Sequence, residues 1–334
     1  MNRIFSKHRI TNIREQIFAF ILTYYASSNK IAYREVKPME YAQAQQLLTP
    51  VHADTEDFFY ADWNMNLYRG CSHGCIYCDS RSLCYRLDRF DTIRPKANAL
   101  PLLEDELRSR RKPGVITMGA MSDPYNPLEE QLCLTRGALE LIRRHGFGAA
   151  FTTKSALCAR DAGLLADIAR RAPVCARLTI TCGDDALCRQ IEPNVSPFSE
   201  RFAALRQLAD AGVYAGVWLN PVLPFITDTE ENILSVVRQA AAAGARFVVC
   251  FFGMTLRSGN REYYFDALER EFPGVRAGYL KVFGNAYECG SPHAQRLYEA
   301  FTAECARLGL AWRFRDVNAG MLRLQPRQMS LFDA

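Results

Sequence analysis

From residue 115 onward, short apolar segments alternate with longer segments in which apolar residues recur at helical spacing. Five apolar segments predict buried strands: Val115–Met121, Gly148–Thr153, Arg177–Thr181, Val213–Leu219 and Phe247–Phe252. The last of them, FVVCFF, is apolar throughout, which is typical of a strand buried on both faces of a sheet. This alternation predicts consecutive parallel βα units.

Helix boundary signals lie between these strands, and Gly146, Gly212 and Gly244 indicate helix ends. The predicted helices are Leu134–His145, Ala159–Arg171, one beginning after Ser196 and Pro197, one beginning near Asp228 and Glu231, and His293–Leu308. A further strand just before Cys71 gives six βα units. The pattern therefore predicts a partial (β/α)6 barrel of the TIM type, an incomplete form of the barrel that closes with eight strands. We predict a last short strand at Trp312–Phe314.

The barrel prediction divides the chain into three regions. Residues 1–60 are predicted to be a partly disordered N-terminal extension, residues 61–316 the core domain, and residues 317–334 a C-terminal tail. Met39 offers a second start shortly before the core, so we expect residues 1–38 to be dispensable.

An apolar run at Ile17–Ala26 follows Lys7, Arg9 and Arg14, an arrangement similar to the start of a signal peptide. The run is shorter than the roughly 20 apolar residues that span a bilayer. Glu15 also interrupts the basic flank. We therefore expect a peripheral helix or an unstructured extension, and no membrane association.

Composition narrows the class of protein only slightly. The chain has 334 residues, of which 49% are hydrophobic and 23% charged, enough to bury a large core. A formal net charge of +5 permits a polyanionic partner but does not indicate a dedicated nucleic-acid binder. The 12 cysteines lack the dense, regular spacing of a small disulfide-rich domain. We therefore predict a cytoplasmic protein with free thiols.

The segment NLYRGCSHGCIYC at residues 66–78 places Cys71, Cys75 and Cys78 at C-x3-C-x2-C spacing. A [4Fe–4S] cluster ordinarily takes four cysteines, so three of them leave one iron open to another ligand. Gly70 and Gly74 suit a loop that must wrap around such a cluster, because glycine accepts backbone angles that other residues avoid.

A second interpretation takes Cys84 as a fourth ligand and predicts a closed structural zinc site in a nucleic-acid adaptor without catalysis. Structural zinc sites usually take two ligand pairs from separated segments. Here all four cysteines would come from one loop.

With this motif, residues 62–315 resemble the radical S-adenosylmethionine (SAM) superfamily, and more narrowly its branch related to spore photoproduct lyase. The narrower resemblance rests on four segments: Tyr68–Cys71, Met118–Tyr125, Thr153–Ser155 and Ile191–Pro193. It implies a partial (β/α)6 barrel, a [4Fe–4S] cluster on the loop after the first strand, and SAM on the open iron. It also implies an enzyme that forms a 5′-deoxyadenosyl radical and abstracts hydrogen from a substrate, using a low-potential electron donor of the flavodoxin or ferredoxin type.

The resemblance also suggests residues that contact SAM. The candidates are Tyr77, Met118, Gly119, Ala120, Ser122, Asp123, Lys154, Thr181 and Glu192. The strand edge from Met118 to Ala120 would contact the amino group, Lys154 the carboxylate and Thr181 the nucleoside. Glu192 would contact a ribose or the methionyl amine.

Alternative interpretations stay open for four of these positions. Tyr77 lies against the adenine of SAM or packs beside the cluster. Lys154 contacts the SAM carboxylate or is a solvent-exposed residue at the end of a strand. Ser122 and Asp123 point to the barrel mouth or begin a turn before Pro124.

The chain departs from spore photoproduct lyase at one position. When Ser122 and Asp123 are aligned with that family's serine and aspartate, the hydrogen-donating cysteine of the family falls at Ala120, which has no thiol. Thymine-dimer reversal by that route is therefore not expected. Cys133 or another scattered cysteine is an alternative donor, but each is more often a small core residue. No catalytic residue is assigned.

The C-terminal residues Gln328–Phe332 resemble the short peptide by which bacterial DNA-processing proteins bind the sliding clamp. The alternative is a tail that packs on the barrel. Arg313, Arg315, Arg323 and Arg327 lie upstream, where phosphate contact is an alternative to an ordinary surface role. The sequence thus favours a DNA base or lesion as substrate, and a small metabolite or another protein is the alternative.

Overall fold

The computed structural model describes residues 39–52 and 56–323. The chain divides into two compact units, residues 1–39 and residues 40–334, and the fold below is that of the second unit. Predictions on residues 1–38, 324–327 and 328–332 lie outside the described residues. Within the described residues, no helix combines the length and the apolar character needed to cross a membrane.

A seven-stranded sheet forms the centre of the described unit, in the order β1-β2-β5-β6-β7-β8-β9. The strands are β1 (Thr49–Pro50), β2 (Trp63–Met65), β3 (Tyr68–Arg69), β4 (Arg94–Pro95), β5 (Val115–Met118), β6 (Gly148–Thr153), β7 (Val174–Thr179), β8 (Ala215–Leu219), β9 (Val248–Cys250), β10 (Gly253–Thr255) and β11 (Glu288–Gly290). From β2 to β9 all five pairings are parallel, whereas β1 adds to the edge in antiparallel orientation. Six parallel strands confirm the predicted partial (β/α)6 barrel.

Helices follow the parallel strands as crossover connections. They are α1 (Ala99–Ser109), α2 (Glu129–Leu132), α3 (Leu134–Arg144), α4 (Ala162–Ala169), α5 (Asp185–Ile191), α6 (Phe198–Asp210), α7 (Glu230–Ala242), α8 (Asn260–Glu271), α9 (Val275–Phe283), α10 (Ala294–Arg307) and α11 (Phe314–Arg323). The five predicted helices correspond to α3, α4, α6, α7 and α10. At the start of α7 the cap is Thr229, whose side chain accepts a hydrogen bond from the Asn232 amide.

Three predicted strands end earlier in the structure, at Met118, Thr179 and Cys250, and a fourth is not formed. The strand beginning at Val115 stops at Met118 because Gly119 adopts a φ of +99°, a conformation that does not continue a strand. The predicted strand Trp312–Phe314 is wrong. Ala311 makes a single parallel bridge with Phe247, and Phe314 already begins α11.

Alternating residues of the parallel strands face two different buried layers, as strand geometry requires. One layer packs against the surrounding helices. The other lies on the inner side of the sheet and comprises Phe59, Val115, Ala150, Cys175, Tyr214, Phe247, Val249, Phe314, Val317 and Met321. The Phe58 carbonyl accepts a hydrogen bond of 2.9 Å from the Asn318 side chain, which ties the segment before β2 to α11. Helix α11 therefore crosses the boundary predicted at residue 316.

Candidate active site and metal centre

A cavity of about 730 Å³ opens at the carboxyl ends of the parallel strands. Barrel enzymes place their active sites at this end. The residues that line the cavity include Phe58, Cys71, His73, Cys75, Tyr77, Cys78, Gly119, Ala120, Ser122, Asp123, Thr153, Lys154, Thr179, Trp218, Asn220 and Phe251. The cavity has the size of a small-molecule or cofactor site.

Cys71, Cys75 and Cys78 lie on the loop that follows β2 and β3, and all three line this cavity. The loop approaches its neighbours too closely for larger residues. A Cβ at Gly70, where φ is +82°, would lie 2.5 Å from the Thr92 carbonyl oxygen. Glycine at this position is therefore a requirement of the loop conformation.

The thiol groups are held in surroundings that disfavour the free thiolate. Burial raises the pKa of Cys71 to about 11 and raises that of the fully buried Cys75 well above its usual range. Iron must be bound by thiolates, so metal binding at this loop would release protons.

The arrangement fits three ligands of a cluster better than a four-cysteine zinc site. Cys84 is exposed, and its sulfur accepts a hydrogen bond of 3.5 Å from Arg257 Nη1. It is not among the residues that line the cavity. Over residues 39–52 and 56–323, no three His, Cys, Asp or Glu side chains converge on a single-ion site. The three cysteines of the loop all line one cavity, which fits ligands that bind different irons of one cluster.

Ser122 and Asp123 fasten the cysteine loop to the neighbouring strand ends. The Ser122 hydroxyl donates to the Gly70 carbonyl at 2.6 Å. The Asp123 carboxylate accepts from the Thr153 hydroxyl at 2.6 Å and from the Lys154 amide at 2.8 Å. Both side chains are buried, so these bonds hold the loops after β2, β5 and β6 together.

His73 also lies where these three loops meet, next to Asp123. Its Nδ1 lies 3.5 Å from the Asp123 carboxylate, and its ring is 3% exposed. Burial lowers the pKa of His73, which favours the neutral form of the ring. A neutral, enclosed imidazole shapes the loop and adds no positive charge to the cavity.

Lys154 follows β6 and presents its ammonium group to the cavity. Its Nζ lies 5.6 Å from the centre of the Tyr77 ring. Burial would lower its pKa, but the nearby acidic groups Cys75 and Glu192 outweigh that effect and raise it. Among the described residues no carboxylate lies within ion-pair distance of this ammonium. Lys154 is therefore available to an anionic group of a ligand.

Glu192 lies in the protein interior and is not among the cavity-lining residues. Its carboxylate pairs with Arg201 Nη2 at 2.5 Å, and both side chains are fully buried. The Tyr77 hydroxyl also donates to it. Arg201 donates further to the Thr179 and Ser196 carbonyls at 2.8 and 2.7 Å. Glu192 therefore has its partners within the protein interior. Tyr77 lines the cavity, and its hydroxyl points away from the cavity toward Glu192.

The remaining predicted contacts separate into residues at the cavity and residues beneath it. Gly119 and Ala120 line the cavity, whereas Met118 is buried below them. Thr181 is buried and away from the cavity, and Thr179 at the end of β7 lines it instead. The Thr179 hydroxyl is buried without a hydrogen-bond partner in the described structure.

The cavity residues that were not predicted from the sequence include Phe58, Trp218, Asn220 and Phe251. A signal exists for two of them. Trp218 and Asn220 lie at the end of the apolar segment VYAGVWLN, where a strand meets the barrel mouth. Phe58 carries no such signal, because its position depends on how the segment before β2 folds onto α11.

Among known proteins, the chain is similar to the uncharacterized protein Rv2578c of Mycobacterium tuberculosis. The two are 31% identical over 280 residues, which cover 81% of this chain and 82% of that protein. No family in a survey of protein-family descriptions matches the chain.

Two solved structures share the fold. One is spore photoproduct lyase complexed with dinucleoside spore photoproduct, with a TM-score of 0.56, 16% identity, and coverage of 78% of this chain and 79% of that one. The other is the radical SAM methyltransferase TsrM of Kitasatospora setae, with tryptophan and a SAM analogue bound. Its TM-score is 0.50 at 13% identity, with coverage of 73% of this chain and 51% of that one.

Proposed function

This chain belongs to one family with the mycobacterial protein, its fold is that of the radical SAM enzymes, and we propose that it cleaves SAM reductively. The reaction class is hydrogen abstraction from an organic substrate. The observation that carries the proposal is the convergence of three cysteine thiols on the cavity that Lys154 faces. The fourth cysteine of the loop region points elsewhere.

The chain's own residues have separate tasks in this proposal. Cys71, Cys75 and Cys78 hold three irons. A [4Fe–4S] cluster bound there supplies an open iron for SAM and the electron that breaks its sulfonium bond, with methionine and a 5′-deoxyadenosyl radical as products. Lys154 binds the SAM carboxylate as a point charge. The strand edge at Gly119 and Ala120 offers backbone groups to the amino group.

Ser122 and Asp123 act as positioning residues in this proposal. Their hydrogen bonds link the cysteine loop to the strand ends that carry Gly119 and Lys154. Because the three segments are fastened to one another, the proposed ligands and the proposed SAM contacts keep a fixed relation. Such preorganisation is what a reactive cofactor needs from its protein.

For the substrate we propose a DNA base or lesion. The supporting observation is the shared fold with spore photoproduct lyase, whose structure holds a dinucleoside photoproduct. The clamp-like peptide Gln328–Phe332 and a mildly basic charge agree with this choice. Ala120 lies at the cavity wall without a thiol, so the reaction does not use a cysteine hydrogen donor there. A low-potential flavodoxin or ferredoxin in the cytoplasm would supply the electron.

The test is anaerobic reconstitution with iron and sulfide, followed by dithionite reduction with SAM and chromatography for 5′-deoxyadenosine. We expect Cys75→Ala to lose both the cluster and the product. Cys84→Ala is the matched control and should keep both, because that thiol lies outside the cavity. A cluster that survives Cys75→Ala, or zinc bound in a way that needs Cys84, would overturn the proposal.

A further inference from the structure

The part of the cavity built by β8 and β9 is aromatic. These strands lie at the opposite end of the sheet order from β2, which leads into the cysteine loop. Phe58, Trp218 and Phe251 form what we call the aromatic wall. Trp218 meets Phe58 at a ring-centre distance of 6.1 Å and Phe251 at 5.7 Å, both in edge-on geometry.

The aromatic wall is unusually open to solvent for such large apolar side chains. Phe58 and Phe251 are each 45% exposed, although their neighbours Phe59 and Phe314 are buried. An apolar surface that lines a cavity and stays exposed is typical of a ligand site. Phe58 and Phe251 also pack on the buried Phe314, and their exposed portions give the cavity an apolar surface that suits a flat ligand.

Two polar groups beside the wall indicate that the flat ligand carries hydrogen-bonding edges. The Asn220 carboxamide lines the cavity and makes no hydrogen bond within residues 39–52 and 56–323. The Thr179 hydroxyl is buried and lacks a partner there. A buried polar group without a partner is costly, and a ligand can remove that cost. A carboxamide pairs well with the donor and acceptor edge of a nucleobase.

A second cavity, of about 360 Å³, adjoins the aromatic wall and shares Phe251 with it. Arg313 and Arg315 line this cavity, and both are exposed. Arg313 has no carboxylate within ion-pair distance among the described residues, and Arg315 has Asp316 at 3.8 Å. Glu56 also lines the cavity, so the two guanidinium groups lie beside two carboxylates, those of Glu56 and Asp316. An anionic group attached to a ring on Phe251 would meet the two guanidinium groups.

We propose that the aromatic wall binds a nucleobase and that Arg313 and Arg315 bind its phosphate, so that the substrate is a nucleotide unit of single-stranded or unstacked nucleic acid. This inference rests on the proposed function. It assigns substrate recognition to Phe58, to residues at or just beyond the ends of β7, β8 and β9, and to two arginines at the start of α11. The hydrogen-bonding partners of the base are Asn220 and Thr179.

The test measures binding of a short fluorescein-labelled single-stranded DNA to the reconstituted holoenzyme with SAM, by fluorescence anisotropy at several salt concentrations. Phe251→Leu removes a stacking face while keeping apolar volume, and we expect about tenfold weaker binding. The double variant Arg313→Gln with Arg315→Gln should weaken binding and reduce the slope of log Kd against log salt by about 1.5. Trp218→Leu is a second test of the wall.

Arg296→Gln is the matched control, because Arg296 is an exposed arginine of α10 that pairs with Glu230 away from both cavities. It should bind DNA like the unaltered protein. Iron content and circular dichroism verify that each variant is folded. If Phe251→Leu and Trp218→Leu both bind normally, or the arginine pair behaves like Arg296→Gln, the inference is wrong.

The two proposals fail in different ways. Formation of 5′-deoxyadenosine without any DNA binding would overturn the nucleotide site and leave SAM cleavage standing. DNA binding that depends on Phe251 and Arg313, in protein that carries a full cluster yet never cleaves SAM, would support the nucleotide site and contradict the proposed reaction.

Discussion

Replacing Glu192 by Gln separates two roles for this residue. The sequence resemblance suggests contact with the cofactor, whereas the structure places the carboxylate in a buried ion pair with Arg201. Glu192→Gln keeps the size of the side chain and removes its charge. It leaves the Arg201 guanidinium buried without a counter-ion and changes the acceptor of the Tyr77 hydroxyl.

The expected loss of stability follows from the burial of both partners. Removing one member of a buried ion pair typically costs about 3–5 kcal/mol, because the remaining charge stays desolvated. That is a large part of the roughly 5–15 kcal/mol by which a domain is stable. For a domain of this size it should lower Tm by about 10 °C. Glu192→Leu combined with Arg201→Leu should recover part of the loss. Recovery stays incomplete because the Thr179 and Ser196 carbonyls lose their donor.

Two measurements are made. Thermal and urea unfolding of the protein without cluster give its stability, and the reconstituted protein gives the KM for SAM. The structural role predicts a large fall in stability, and the double variant should be more stable than Glu192→Gln. If Glu192→Gln leaves the unfolding midpoint unchanged and raises only the KM for SAM, the ion pair contributes little and the cofactor role is correct.

Two further predictions concern backbone conformation and surface charge. Gly119→Ala should lower the free energy of unfolding by at least about 2 kcal/mol, because φ is +99° and the new Cβ would lie 2.2 Å from a backbone oxygen of β6. Gly163→Ala in α4 is the control: its Cβ would meet nothing within 4 Å, so the change should be neutral or stabilising. Equal unfolding midpoints for the two variants would contradict this prediction. Hydrogen bonds from Arg307 and Arg238 lower the pKa of Glu304 to about 2, so its stabilising contribution is complete above its unfolded pKa of about 4.3 and is lost as the pH falls to about 2. Glu304→Gln should flatten that part of the stability profile, and an unchanged profile would show that the pairing is weak.

The sheet could be predicted because buried parallel strands are short, apolar and separated by glycine-terminated helices. The error at Trp312–Phe314 shows the limit of that reasoning. Its aromatic residues favour a strand locally, yet Phe314 packs with Val317 and Met321 at helical spacing on the inner side of the sheet. Tertiary packing decides such a segment, and a single sequence does not show the packing partner.

Site residues were harder to predict than strands. Thr179 and Thr181 lie two residues apart, so the alternation of side chains along a strand predicts the same face for both. Strand β7 ends at Thr179, and it is Thr179 that lines the cavity. The sequence does contain a signal for the ion pair of Glu192 with Arg201. Arg201 falls on the same helical stripe of α6 as the buried Phe198, Phe202 and Leu205. A cation on an apolar stripe requires a buried acid, and Glu192 lies nine residues away in sequence.

The two proposals place the chemistry and the substrate recognition at different parts of one sheet. The proposed cluster ligands and SAM contacts lie on loops after β2, β5 and β6, which Ser122 and Asp123 fasten together. Trp218 and Phe251 of the aromatic wall lie at the ends of β8 and β9, which the sheet joins to β6 through β7. If both proposals hold, we expect changes in the wall to alter substrate binding with little effect on SAM cleavage. Phe251 is then the informative position for the substrate and Cys75 for the chemistry, as expected of a fold that hosts many reactions.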